Sequence, residues 1–515
     1  MFERTVASRM NWSLLAYLSL VGSACSDSST TLMTEPGLGQ LTQAVDFAAA
    51  QDLCSEDPRV ELGIVSQDVC VGAELFFRDE FGGNGRSCAS CHPVANNYTI
   101  DPTFISLLPS SDPLFVAEND LALTGLERPD LMRQFGLILE NVDGAEDPTV
   151  KFTMRSVPHC FSLSKSITAP PGTVNPPLER TGWSGDGAPN DGRLEDFQTG
   201  AIFQHYTRSL DRISGVDFIQ ATAAELDDID DFMKTIGRED DLTLGSVSLS
   251  DAGAEAGRTT FMLPGSRCNA CHRNAGANIA TGVNRNFDTG VEGVRIALLN
   301  DQEIPFDGGF GGQGLPDFNH DADGDEENDS FGDGAFNTPP LVEAADTGPF
   351  FHTNAFDTIE AAVEFYNSDA FEFSPAGQAG AQINLSATDV ANVGRFLRVI
   401  NASFNVQIAI ARIDAALPII EEDKNHSTEL QQELLRLARV EAEDALEVLS
   451  GVSALNVSAR ANLSSALGFL LTASTHASHT QRQDNAEDAR AVLVTANASL
   501  GSGMAMPMGE GTFMF

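Results

Sequence analysis

Apolar residues recur at helical spacing through most of this chain, and the pattern changes character at a few places. Near the start, Arg4 and Arg9 precede an apolar run over residues 12–21, followed by Gly22-Ser23-Ala24-Cys25. That run is too short to span a bilayer; basic start, apolar stretch and small residues together predict an export signal over 1–25. Residues 26–34 are rich in Ser and Thr and read as a tether within a linker over 26–45. No other run reads as long and apolar enough to cross a membrane. Near residues 237–248 one helical pattern stops and another begins, which divides the middle of the chain into 46–245 and 246–412. Beyond Ala415 longer amphipathic periods follow over 429–449, 458–472 and 485–500, with Gly451 as a stop. The pattern predicts a mainly α protein whose last part, 413–515, is a helical extension ending in a flexible Met-rich tail over 504–514.

Chemistry enters with Cys88-Ala-Ser-Cys91-His92 and Cys268-Asn-Ala-Cys271-His272. On a helical turn the two Cys and the His stand at i, i+3 and i+4 and face the same way. Two thiols can then form thioethers to haem vinyl groups while the imidazole ligates iron, which is the arrangement of haem c. With eight Cys and nine His in the chain, one such match arises by chance in roughly one shuffled sequence in 500. Two chance matches are not credible. Redox-active or zinc-binding CxxC pairs would need the adjacent His twice by coincidence.

The two motifs sit in an internal repeat. Val71-Gly72-Ala-Glu-Leu-Phe76-Phe77 leads into the first, and Ala256-Gly257-Arg-Thr-Thr-Phe261 leads into the second, each preceded by a helix-like run. Two cytochrome c-type haem domains in tandem follow, with the extension as a cap or a homodimerisation element. Haem c is attached outside the cytoplasm, in agreement with the export signal. Cys25 is placed like the lipidated Cys of bacterial lipoproteins, although the aliphatic Val21 stands one residue further from it than usual. A lipid anchor and plain secretion both remain open, in the periplasm or at the outer membrane. Of the other cysteines, Cys54, Cys70 and Cys160 allow three pairings; one between Cys54 and Cys70 would stabilise by about 3 kcal/mol in the loop-entropy view.

The formal net charge of -44 disfavours nucleic acid and anionic membrane surfaces and favours a basic or neutral redox partner, unless it is only a solvated acidic surface. A 42% hydrophobic content is ample for a core.

With these motifs in view, residues 60–410 resemble the bacterial dihaem cytochrome c peroxidase and MauG superfamily. Besides both CxxCH motifs, the resemblance rests on Arg155-Ser-Val-Pro158, Trp183-Ser-Gly-Asp-Gly187, Leu194-Glu-Asp-Phe-Gln198, Phe336-Asn-Thr-Pro339, Pro349-Phe-Phe-His352 and the run from Thr358 to Tyr366. It implies that an N-terminal haem meets hydrogen peroxide, a C-terminal haem passes or stores electrons, and Trp183 lies between them. The family's compact Trp-Asp-Gly-Arg is stretched here to Trp183 through Arg193. At the second haem, Tyr366 stands where peroxidases of the family have Met and MauG-like members Tyr, with His352 as the competing ligand or a supporting residue. At the first, no His occurs between His92 and His159, so an open iron is expected. The peroxide-handling residues should come from a helix over 194–208, where Gln198, His205 and Arg208 fall near one face. Gln198 matches a family distal Gln. Arg208 stands about where the family has Glu, leaving His205 to accept and return the peroxide proton.

Asn337 and Thr338 lie where family members bind a bridging calcium; Asp321-Ala-Asp323-Gly-Asp325 departs from an EF-hand loop and reads as a solvated acidic loop. His476 and His479 read as a surface pair. The function expected is that of an exported dihaem peroxidase drawing electrons from a donor protein or small reductant. An electron carrier without open iron, a MauG-like protein-modifying oxidase and a rubber-oxygenase-like dioxygenase are the alternatives.

Overall fold

The computed structural model describes residues 45–141, 152–170, 178–185, 192–294, 306–310, 331–422, 427–451, 455–475 and 478–514, together with residues 296, 299 and 304. The signal, Cys25, the linker, the 321–325 loop, His476 and most of the stretch after Trp183 lie outside them. The described chain is mainly helical, and its strands occur only as two-stranded pieces.

Helix α1 (Gln67–Arg78) leads into the first motif and is buried from Val69 to Phe76. It crosses α3 (Ala223–Lys234), which begins in a capping box between Thr222 and Glu225; α2 (Leu194–His205) lies between them in sequence. At the crossing stands Gly72, where an added Cβ would meet the Asp228 carbonyl oxygen at 1.8 Å. Only glycine lets the two backbones approach so closely. The construction recurs in the second half. Helix α4 (Ala252–Met262), capped by the Asp251 side chain, crosses α5 (Ala387–Glu422) at Gly257, whose added Cβ would stand 1.8 Å from the Asn392 carbonyl oxygen. The repeat seen in the sequence thus coincides with two like helix crossings.

Helix α5 is 36 residues long and runs unbroken through residue 412, where the sequence pattern places a segment limit. It is long and apolar enough to cross a membrane, contrary to the expectation that no such run exists, but 67% of its most apolar window is buried inside the protein. Its buried positions, among them Val393, Phe396, Leu397, Ile400 and Ile408, give it the apolar character of a core helix. Behind it come α6 (Thr428–Ser450), α7 (Val457–Thr475) and α8 (His479–Leu500), close to the three predicted stretches. Helix α8 starts six residues before the predicted 485. The buried positions Ala459, Leu463, Ala466, Leu470 and Ala473 of α7 face Ala486, Ala489, Leu493, Ala496 and Leu500 of α8. This alternating spacing of three and four is that of a coiled-coil seam, and its alanines let the helices pack closely.

Buried polar contacts tie the extension to the rest. Arg412 of α5 donates to Glu441 of α6 at 2.7 Å, and both side chains are 1% exposed. The tail, expected to be flexible, docks instead. Met504, Met506 and Met514 are buried, Gln407 bonds the backbone of Met504 and Met506, and Ser66 N–H donates to Glu510. Methionine adapts to irregular gaps, so a tail with few other packing residues still fills one. Cys54 and Cys70 form a disulfide, fastening the helix Phe47–Ser55 to α1, while Cys160 is free and buried. Arg155 grips Asp307 with two bonds, 2.6 and 2.7 Å, joining residues 152 apart in sequence.

Candidate functional site

Both CxxCH segments form single helical turns. Cys88–Ser90 is a 3-10 turn and Cys268–Cys271 an α-helical one; in each, the His N–H donates to the first Cys carbonyl at 2.9 Å. All four thiols are free. Burial pushes the Cys88 thiol up to about 11, Cys91 to about 12 and Cys268 to about 11, the opposite of the depressed values of redox-active CxxC pairs. Among the described residues no three His, Cys, Asp or Glu side chains converge as metal ligands.

Each motif imidazole is anchored through Nδ1. His92 lies 2.8 Å from the Tyr98 carbonyl oxygen and His272 3.0 Å from that of Pro339. A carbonyl only accepts, so Nδ1 carries the proton and Nε2 keeps a lone pair for a metal. Burial lowers both imidazoles to about 4, which keeps them neutral. His92 has an additional neighbour that its counterpart lacks: Cys160 Sγ stands 3.3 Å from Nδ1.

Cys88, Cys91 and His92 open onto a cavity of about 590 Å³, within the range of cofactor sites. Its facing wall is α2, whose Gln198, Ile202 and His205 stand at i, i+4 and i+7 and all line the cavity. Gln198 is 6% exposed; its Nε2 reaches Met233 Sδ, and its Oε1 is buried with no partner. Gln220, which also lines this cavity, has an Nε2 that is likewise buried and unpartnered. A buried amide group without a bond is costly, and here it faces space that an occupant with polar edges would fill.

The helix ends at His205, three residues short of the predicted 208. Asn84 takes the carbonyls of His205 and Thr207 with its side chain and that of Tyr206 with its N–H, capping the end of the helix. Arg208 is therefore exposed and bonded to the Val216 carbonyl, away from the cavity face where the pattern puts it. A carboxylate from elsewhere stands behind His205, outside the cavity lining. Glu127 Oε1 lies 3.7 Å from His205 Nδ1 and 2.8 Å from Arg86 Nη1, with the Arg86 and Glu127 side chains each 1% exposed. Burial alone would raise the Glu127 carboxyl, but Arg86 and then His205 outweigh it and hold it below the usual carboxylate range.

The second motif lines a smaller cavity of about 240 Å³. Phe336, Phe351, Val363, Phe371 and Leu397 make most of this space apolar. Tyr366 lines it as well, on the 3-10 turn Phe365–Asn367, its ring edge-on to Phe371 at 5.0 Å. Burial, with the Cys271 and Cys268 thiols adding to it, pushes the Tyr366 phenol well above its ordinary value. His352 shares the cavity with its ring stacked on Phe336 at 4.0 Å.

Trp183 lies at the partition. Its neighbours Thr181 and Ser184 line the first cavity, while its own side chain lines the second. The indole N–H donates to the Ser156 carbonyl at 2.8 Å, and its carbonyl accepts from Asn337 N–H at 2.8 Å. A third space of about 150 Å³, lined by His159, Trp183, Asn337 and Thr338, shares Val157 and Pro158 with the first cavity and Trp183 with the second. Asn337 Oδ1 is buried without a partner.

Gln198 and His205 thus share one cavity with the first motif, Tyr366 shares the other with the second, and Trp183 lines the second and the small space beside it. Arg86, Glu127 and Cys160 are additions. Of these, Arg86 stands in the sequence as a cation two residues before Cys88, and Cys160 was in view only as a pairing candidate.

No family model matches the chain, and no curated protein matches it. Among solved structures it is similar to a MauG-like protein associated with microbial copper homeostasis, at 17% identity and a TM-score of 0.34, over 64% of this chain and 87% of that one. A likeness so distant adds nothing to what the residues themselves carry.

Proposed function

We propose that this chain is an exported dihaem c-type cytochrome that reduces hydrogen peroxide. The observation that carries the reading is the doubled CxxCH turn, each with a neutral imidazole fixed through Nδ1 and each opening onto its own cavity. The donor set fits haem c: two free thiols and one imidazole Nε2 at each site, with unpartnered amide groups beside the first.

Haem bound there would supply redox-active iron, held by His92 and His272 and attached through Cys88, Cys91, Cys268 and Cys271. The chain does the rest. Gln198 offers an unpartnered Oε1 that accepts a bond from the peroxide O–H and so orients it. His205 Nε2 takes the proton from one peroxide oxygen and returns it to the leaving oxygen. Two electrons from the donor and two protons then account for two waters. Trp183 offers an indole between the two cavities as a relay, and its N–H bond to Ser156 fixes the ring. At the second site Tyr366 would, once deprotonated against bound iron, supply a hard anionic donor that favours oxidised iron. That feature also fits a MauG-like oxidase that stores oxidising equivalents before meeting its substrate.

Calcium beside Asn337 and Thr338, a lipid on Cys25, a location in the periplasm or at the outer membrane, and a basic or neutral electron donor belong to the same proposal. The domain limit at 245 belongs to it as well, whereas that at 412 falls inside helix α5.

The test is turnover of peroxide by the purified holoprotein with a reducing dye. Wild type should consume peroxide, and His205→Ala should be slower by about a hundredfold with an unchanged resting spectrum. A wild type without turnover contradicts the reading; a shift of the first haem from low to high spin in His205→Ala would make His205 a ligand.

A further inference from the structure

We infer that Glu127 is a positioning residue for His205, fixing its tautomer so that Nε2 is the basic nitrogen facing the cavity. This rests on the first cavity being the place of peroxide cleavage.

The Glu127 carboxylate is held on all sides. Oε1 accepts from Arg86 Nη1 at 2.8 Å, and Oε2 accepts from the Leu139 N–H at 2.9 Å. Arg86 is itself fixed by the carbonyls of Leu114 and Pro113, at 2.7 and 3.3 Å. A buried carboxylate so restrained cannot turn away when its neighbour changes charge. Its Oε1 stands 3.7 Å from His205 Nδ1, beyond a hydrogen bond but within the adjustment that catalytic contacts make when substrate binds.

An ionised carboxylate only accepts. Facing Nδ1, it favours the tautomer with hydrogen on Nδ1 and leaves the Nε2 lone pair free. No hydrogen bond engages Nε2 among the described residues, and the ring lines the cavity. When Nε2 takes the peroxide proton, the imidazolium that forms lies beside a carboxylate that stays ionised. The division of roles is that of a general base held by a buried acid. Here the acid comes from a loop 78 residues before the His rather than from the helix that carries it.

Glu127→Gln tests this. A Gln can turn its NH₂ toward Nδ1, stabilising the opposite tautomer and burying the base. In the holoprotein, kcat should fall by about a hundredfold or more, KM for peroxide should change little, and the ferric spectrum should stay as in wild type. Made in the His205→Ala background, the same substitution should cost no further turnover. An equal loss in both backgrounds, or an altered haem spectrum, means that Glu127 only supports the fold and overturns the inference. If Glu127→Gln does not fold, nitrogen chemical shifts of His205 in the reduced, carbon monoxide-bound wild type decide. Hydrogen on Nδ1 is expected; hydrogen on Nε2 overturns the inference. Failure of the underlying reading looks different, because wild type would then lack turnover or His205→Ala would not affect it.

Discussion

The two CxxCH sites share one construction and differ in what faces them. Each follows a helix that crosses another at a glycine, Gly72 or Gly257, and each fixes its imidazole on a backbone carbonyl. Opposite the first lie Gln198 and His205, the latter backed by a buried carboxylate, around about 590 Å³; opposite the second lie aromatic and aliphatic side chains and one phenol, around about 240 Å³. The shared part is what attachment of a cofactor requires, whereas the part that differs decides its chemistry. Proton-transferring groups suit a site where bonds to hydrogen are made and broken. An apolar enclosure with one phenol suits a site where only electrons move.

The largest effect that separates the sites comes from removing each attachment. Cys88→Ser with Cys91→Ser should lower the denatured mass by one haem and abolish peroxide turnover. Cys268→Ser with Cys271→Ser should also cost one haem, yet leave the first site able to bind small ligands. Equal consequences for ligand binding would dissolve the distinction. Next in size, Tyr366→Phe should change the spectrum and potential of the second haem while the first still reacts with peroxide. Two unchanged haem spectra would return Tyr366 to the role of a packed aromatic beside Phe371.

Smaller still is the loss of the Cys54–Cys70 link, which fastens only α1 and hence only the first site's support. Cys54→Ala with Cys70→Ala should destabilise by about 3 kcal/mol or less, seen as a lower Tm with both haem spectra intact. A change confined to the second haem would mean that the halves are coupled more closely than their separate crossings imply.

The parts legible in the sequence are those whose physics is local. A CxxCH turn needs five adjacent residues, and the helices near 429–500 announce themselves because each buries one stripe at regular spacing. Gly72 and Gly257 were visible as a repeat, though not the backbones that make glycine necessary there. The rest depends on residues distant in the chain. Asn84 bonds the carbonyl at the end of α2 from 121 residues away, Glu127 reaches His205 from a loop with no periodicity, and the Met-rich tail packs on α5 and on the segment near Gly237. Helix α5 crosses the predicted limit at 412 because one long helix serves both the second site and the extension.

The unequal openness of the two sites is most directly tested by counting exogenous ligands. In the ferric holoprotein, titration with cyanide followed by absorption and electron paramagnetic resonance should show one binding site for every two haems, with the signal of the second haem unmoved. Binding at both haems, or at neither, would contradict the division of labour proposed here.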